Sequence, residues 1–198
     1  MPEDRRTAMD ALSAILTRHT YPPAKMGPPG PDDGALQRIL EAGAAAPDHG
    51  VLRPFRFLVV RGAGRERLGE LFADFVRRTA PGASVAEIDK QRTAPTRAPV
   101  IVVVAAHVDP AHPKIPEVEQ IAAVAAAAQN MLLAAHALGF GAKWATGKQA
   151  YDATVKTELG LAPADRIIGF LYLGSPAAAH EMPPRAGLDG LVTQWPPP

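Results

Sequence analysis

The chain has 198 residues, 47% hydrophobic and 21% charged, which is enough for one globular core and excludes disorder as its main state. Its 21 Lys+Arg offset 20 Asp+Glu, and a net charge of +1 excludes the broad basic surplus of a nucleic-acid binder. With no cysteine, disulfides, Cys-ligated zinc, iron–sulfur clusters and thiol nucleophiles are excluded together, and a reducing cytoplasm is the expected location.

In chain order, Met9, Leu12, Ile15 and Leu16 fall at helical spacing within 6–18 and predict a first amphipathic helix. The segment 20–31 holds five prolines and two glycines and is expected to lack regular structure. Asp32 or Asp33 then caps a second helix whose inward stripe is Leu36, Ile39 and Leu40. A short strand follows at 56–61, then a helix at 64–78 with Leu68, Leu71, Phe72 and Phe75 facing in, and a shorter helix at 85–92. The run 99–106 is uninterrupted and β-branched, the pattern of a strand covered on both faces. A long alanine-rich helix is expected at about 117–138, ended by Gly139. Its apolar stretch is long enough for a bilayer, but it is largely alanine with Gln129, Asn130 and His136 inside it, so a buried helix is expected rather than a membrane span. Residues 140–145 predict a strand, 150–159 a helix closed by Gly160, and 166–173 a second buried strand. The whole, 1–198, is expected to form a single α+β domain with four strands, helices on both faces of the sheet, and a Pro-rich tail over about 176–198.

Several familiar motifs are incomplete. Gly62-Ala63-Gly64 begins like a dinucleotide fingerprint, but Arg67 stands where its third glycine belongs. Gly147-Lys148 resembles the end of a P-loop, but Ala142 and Gln149 replace its first glycine and its magnesium-binding hydroxyl. His107, Asp109 and His112 have the composition of a metal site; an ordinary surface loop explains them better, and no metal site is expected.

Four separated segments carry more. They are Leu16-Thr17-Arg18-His19-Thr20, the stretch 46–57 beginning Ala46-Pro47-Asp48-His49, the stretch 128–147 containing Gly139-Phe140-Gly141 and Lys143-Trp144-Ala145-Thr146-Gly147, and the glycine-flanked strand 168–174. In this order the chain resembles the FMN-dependent nitroreductase family, and most of all its short bacterial subfamily of NAD(P)H nitroreductases, over about residues 9–175. The resemblance implies a three-layer sandwich around a mostly antiparallel sheet, with a long central helix at the interface of a homodimer that binds FMN at its seam.

Carried over by position, Arg18, His19 and Thr20 resemble the segment that holds the flavin phosphate and ribityl chain, as an arginine fork and hydroxyl donors would. Read without the resemblance, Arg18 and His19 equally well cap the C-terminus of the first helix. His49 and Arg53 match flavin-contacting positions. Here the chain departs from the common pattern, with Val51 for Asn, Arg53 for Gln and Phe55 for Trp. Arg53 reaches either the ring or the phosphate. Trp144, Ala145 and Thr146 match the flavin-contacting turn after the central helix, and Arg185 resembles a C-terminal basic residue that pairs with the phosphate. Ala134, Ala135, His136, Ala137, Leu138 and Gly139 correspond to the nicotinamide-nucleotide contact.

The activity this implies is an oxidoreductase that moves hydride from NADH or NADPH through flavin N5 to an electron-poor acceptor, a nitroaromatic or quinone, by a ping-pong mechanism. The cofactor carries that chemistry, and no side chain is assigned as general acid. Two alternatives stand beside it: an FMN-binding homodimer without turnover, acting as carrier or sensor, and a same-fold flavin enzyme of other chemistry. Neither nucleic acid nor membrane is an expected partner.

Overall fold

The computed structural model describes residues 9–182 and 184–196. Its centre is a five-stranded antiparallel sheet. Strand β3 (Val100–Ala106) lies between β2 (Phe55–Arg61) and β5 (Arg166–Pro176), and every one of its residues is buried. The far edge of β5 is shared by β4 (Gly141–Ala145) and the two-residue β1 (Met26–Gly27).

Burial on both sides of β3 follows from its alternation. Val100, Val102, Val104 and Ala106 point to one layer, where Leu36 and Ile39 of α2 (Asp33–Ala44) and Val124, Ala128, Met131 and Ala135 of α5 (Glu117–Ala137) cover them. Ile101 and Val103 point to the other, against Leu68, Phe72 and Phe75 of α3 (Ala63–Thr79) and Val155 of α6 (Ala153–Glu158). The three layers are thus written in a period of two along one strand. Within the first layer α2 and α5 approach closely. A Cβ on Gly43 would stand 2.7 Å from Met131 Cγ, and Asn130 Nδ2 donates to the Ala42 carbonyl at 3.2 Å.

Helix α5 is long and apolar enough to cross a bilayer, but its inner face, from Gln120 through Ala135, is buried against the sheet. It is a core helix. Its first turn carries Glu117 and Glu119 and its last turn His136, the arrangement its dipole favours.

Three expectations are corrected. The first helix, α1 (Ala11–Thr17), starts at Asp10, whose carboxylate accepts from Ser13 N at 3.0 Å; the expected residues 6–8 lie outside the described region. The proline-rich segment contributes β1, because Met26 and Gly27 are a proline-free pair placed opposite Pro176 and Ser175. Helix 150–159 is instead a 3-10 turn, Lys148–Tyr151, and then α6, because Asp152 breaks off to cap α6 through Val155 N at 2.9 Å. Helix α4 (Val85–Thr93) forms where expected, on a reciprocal capping box between Ser84 and Glu87.

Candidate functional site

The residues singled out in the sequence gather at the two ends of α5. At its C-terminal end, His136 meets the segment that leaves α1. Thr17 Oγ1 lies 2.9 Å from His136 Nε2, and the His19 and His136 rings are 6.3 Å apart, edge to face. Tyr21 N donates to the Ala142 carbonyl at 2.9 Å, which fixes this segment to β4. Arg18 is the C-cap residue of α1 and is partly buried. Thr20 is exposed.

The chain that follows β5 completes this end. Arg185 caps α1: its Nε donates to the Leu16 carbonyl at 3.2 Å, and its Nη2 to the carbonyls of Ile15 and Arg18. These are carbonyls left open at a helix C-terminus. The His180 ring lies 5.6 Å from His19, tilted, and 5.4 Å from Tyr21, edge to face, and Lys25 Nζ lies 3.5 Å from His180 Nδ1. Arg18, His19, Lys25, His136, His180 and Arg185 therefore share one corner. Among the described residues no carboxylate forms an ion pair with any of them.

The electrostatics bear the mark of that crowding. Burial, and then the charge of Arg185, lower the Arg18 pKa. Burial first, then His19 and Arg18, push the His136 imidazole below its ordinary value. His19 Nε2 is buried without a hydrogen-bond partner. Such a corner has donors and positive charge to spare, and what it can hold is an anion with several oxygens.

At the N-terminal end of α5 the pattern is different. His49 Nδ1 lies 2.5 Å from Glu119 Oε2, joining the loop before β2 to the first turn of α5. Pro47, Asp48, His49 and Glu119 rim a shallow cavity of about 340 Å³ floored by Ala122, Ala123 and Ala126. The loop is held open by left-handed backbone at Gly50 (φ 67°), Val51 (φ 56°) and Arg53 (φ 52°). Glycine accepts this freely, whereas a β-branched valine does so only when its surroundings impose it. The Asp48 carboxylate accepts the Arg53 N–H and helps to impose it. The Arg53 side chain is exposed, and its guanidinium has no protein partner among the described residues.

Trp144 and Ala145 are the last residues of β4 rather than part of a turn, and exposed Thr146 follows them. The Trp144 indole N–H donates to the Ile168 carbonyl at 2.9 Å and comes close against Gly169, where a Cβ would stand 2.2 Å from Nε1. Of the 134–139 stretch, Ala134 to Ala137 end α5, Ala135 is fully buried, Leu138 is the helix cap and Gly139 (φ 84°) turns the chain. His107 and His112 serve separate bonds: His107 Nδ1 lies 2.9 Å from Asp165 Oδ1, and His112 Nδ1 accepts from Ile115 N at 2.9 Å.

Sequence reading missed Lys25, His180 and Glu119. No local pattern marks them, since each acquires its neighbour across the fold, Glu119 from 70 residues away. A cavity of about 940 Å³ lies between β2, α3 and α6 and is lined by none of the candidate flavin-site residues.

The chain has known relatives. A model of the nitroreductase family matches residues 26–175. The protein named "Putative NAD(P)H nitroreductase YdjA" from Escherichia coli (strain K12) is 39% identical over 168 residues, 85% of this chain and 89% of that protein. Among solved structures, a nitroreductase-like family protein from Bacillus cereus superposes with a TM-score of 0.78 at 22% identity, over 93% of this chain and 95% of that one. A protein of Desulfovibrio desulfuricans in complex with FMN does so with a TM-score of 0.71 at 29% identity, over 94% and 97%.

Proposed function

The chain belongs to the nitroreductase family, and on that premise we propose that it is an FMN-dependent oxidoreductase working as a homodimer. When bound, FMN supplies ping-pong hydride transfer from NADH or NADPH to an electron-poor acceptor such as a nitroaromatic or quinone. The chain's own residues bind and orient. The observation that carries this reading is the corner of unneutralised cations at the C-terminal end of α5, with the orphaned His19 Nε2 among them. Arg18 is the guanidinium there for a phosphate monoester. Arg185 is spent mainly on capping α1, and its Nη1, with no protein partner among the described residues, is the part left for the anion. Thr20, exposed beside them, supplies a hydroxyl. Trp144, Ala145 and Thr146, at the end of β4, are the residues that would contact the ring.

A second copy of the chain is part of this proposal for a geometric reason. His49 is tied to Glu119 near the start of α5, while His19 packs on His136 near its end. At about 1.5 Å per residue those two ends are about 25 Å apart, too far for one ring system to bridge. A two-fold partner with its α5 antiparallel brings its own His49 and Arg53 to the phosphate end. The surface fits such a partner: Leu12, Ile15 and Leu16 of α1 are 68%, 46% and 59% exposed.

The test is optical. Purified chain incubated with FMN and desalted is expected to be yellow, and anaerobic mixing with NADH or NADPH to bleach it. A folded protein that retains no flavin overturns the proposal. Retained flavin that neither donor bleaches favours the carrier instead.

A further inference from the structure

Strand β5 is irregular at one place, and that place lies where β4 ends. Against β3 the register runs from Val104↔Gly169 to Ala105↔Ile167, so Ile168 is the extra residue of a β-bulge. Against β4 the last pair is Ala145↔Phe170, so Ile168 has no partner on that side either. Its carbonyl is left over by both ladders. The Trp144 indole N–H takes it at 2.9 Å, reaching past the last pair of the ladder although Trp144 itself pairs with Leu171. Only a glycine beside the bulge permits this: a Cβ at Gly169 would stand 2.2 Å from Nε1, 2.5 Å from Cδ1 and 3.0 Å from the Ala145 carbonyl oxygen. Beyond Ala145 the chain leaves the sheet. Thr146 and Gly147 are exposed, and their main-chain N–H groups have no hydrogen-bond partner among the described residues. The bulge, the indole and the end of the ladder thus converge on two free donors.

We propose that Trp144 is a positioning residue for the flavin ring. Its indole locks the end of β4 to the bulge of β5 and so sets where the Thr146 and Gly147 N–H groups stand. The inference rests on the flavin reading for the identity of the ligand, whereas the lock is a property of the sheet. A hydrogen bond weakens steeply once its angle or distance is lost, and a strand end free to slide loses both. Donors aimed at the ring favour its electron-rich reduced form over the oxidised one. Their displacement therefore lowers the potential of the bound flavin as well as its affinity.

Two measurements on the full-length chain test it. The first needs no flavin. The chain has two tryptophans, and Trp195 is 90% exposed. By proton NMR in deuterated water, one indole N–H is expected to exchange about 10-fold or more slowly than the other. Trp144→Phe should remove that signal, and Gly169→Ala, which drives a methyl group into the indole, should bring it to the rate of Trp195. The second is fluorescence titration with FMN and with riboflavin, which lacks the phosphate, joined to a redox titration of the bound flavin. Trp144→Phe keeps an aromatic ring and drops the donor. It is expected to weaken both flavins equally, by about 3- to 10-fold, and to move the midpoint potential to a more negative value. Gly169→Ala, with Trp144 in place, is expected to do the same. Two equally fast indoles, or a potential unchanged in both variants whatever the affinity does, overturn the proposal. A loss confined to FMN puts the effect at the phosphate and overturns it as well. Wild-type chain that binds flavin no better than the variants do overturns the proposal alone; wild-type chain that binds neither flavin removes the flavin reading, and the proposal with it.

Discussion

The two ends of α5 treat charge in opposite ways. At the start of the helix the first-turn acids find their complement inside the chain: Glu119 meets His49, Glu117 meets Arg166 at 2.9 Å, and the buried Gln120 amide is engaged at both ends. At its end, cations stand beside cations, and a buried imidazole nitrogen has no partner. The helix dipole favours acids at the first end and bases at the second, by up to about 1 kcal/mol each, but that does not explain six basic groups in one corner. Folding completed one end. The other is complete only with something added.

The sharpest way to break this contrast is at the completed end. Gln120 is 1% exposed; its Oε1 accepts from Asp109 N, and its Nε2 donates to the carbonyls of Asp109 and Ile115, each at 2.9 Å. Gln120→Leu keeps the volume and strips all three partners, so urea denaturation is expected to show a loss of about 3 kcal/mol. A loss below about 1 kcal/mol means that this network is not what organises the start of α5.

At the unfinished end the effect moves from stability to binding. Arg18→Ala is expected to weaken FMN by about 1.5–3 kcal/mol, roughly 10- to 150-fold in Kd, when a charged hydrogen bond is lost. Its effect on unfolding should be small, since Arg18 caps α1 with its main chain, through N–H to the Ala14 carbonyl at 3.0 Å, which alanine retains. Unchanged FMN affinity with lost stability would make Arg18 a helix-end residue and nothing more.

What the sequence disclosed follows the range of the forces involved. β3 is legible because a two-sided environment selects apolar residues at every position, and α2 because Asp32 accepts from Ala35 N at 2.8 Å within its own turn. Asp152 was legible by the same capping rule, and its cap on α6 is local. β1 is not legible, since two residues carry no periodicity and their pairing is with Ser175 and Pro176. The site divides in the same way. Arg18, His19, His49 and Trp144 sit in contiguous motifs that a family resemblance can match. Lys25 and His180 are adjacent only because the chain beyond β5 returns over the start, with Ala177 N donating to the Lys25 carbonyl at 2.9 Å.

A smaller effect separates the two ends by pH. His136 is held below its ordinary value of 6.5, so between that depressed value and 6.5 the unfolded chain binds a proton that the folded chain does not. Its contribution is present above 6.5 and is lost as pH falls through the lowered value. The ligand-free melting temperature is therefore expected to drop by about 2 °C from pH 7.5 to 5.5, a modest shift because the group is largely solvated. Phosphate should restore it, and His136→Gln should remove it. The carboxylates that hydrogen bonds depress, such as Asp152 beside Arg78, titrate below the ordinary carboxylate range and fall outside this window.

The smallest effect belongs to Glu119→Gln. His49 and Glu119 have side chains 55% and 46% exposed, so their attraction is screened and its loss should cost no more than about 1 kcal/mol in unfolding. The amide still accepts a hydrogen bond from Nδ1–H, so the loop before β2 is expected to keep its place. If the same substitution leaves unfolding unchanged yet slows bleaching of bound flavin by the nicotinamide donor, His49 acts on the partner's ligand and needs the carboxylate for its charge. If both stay unchanged, the pair is a surface clasp, and the start of α5 is finished by Gln120 alone.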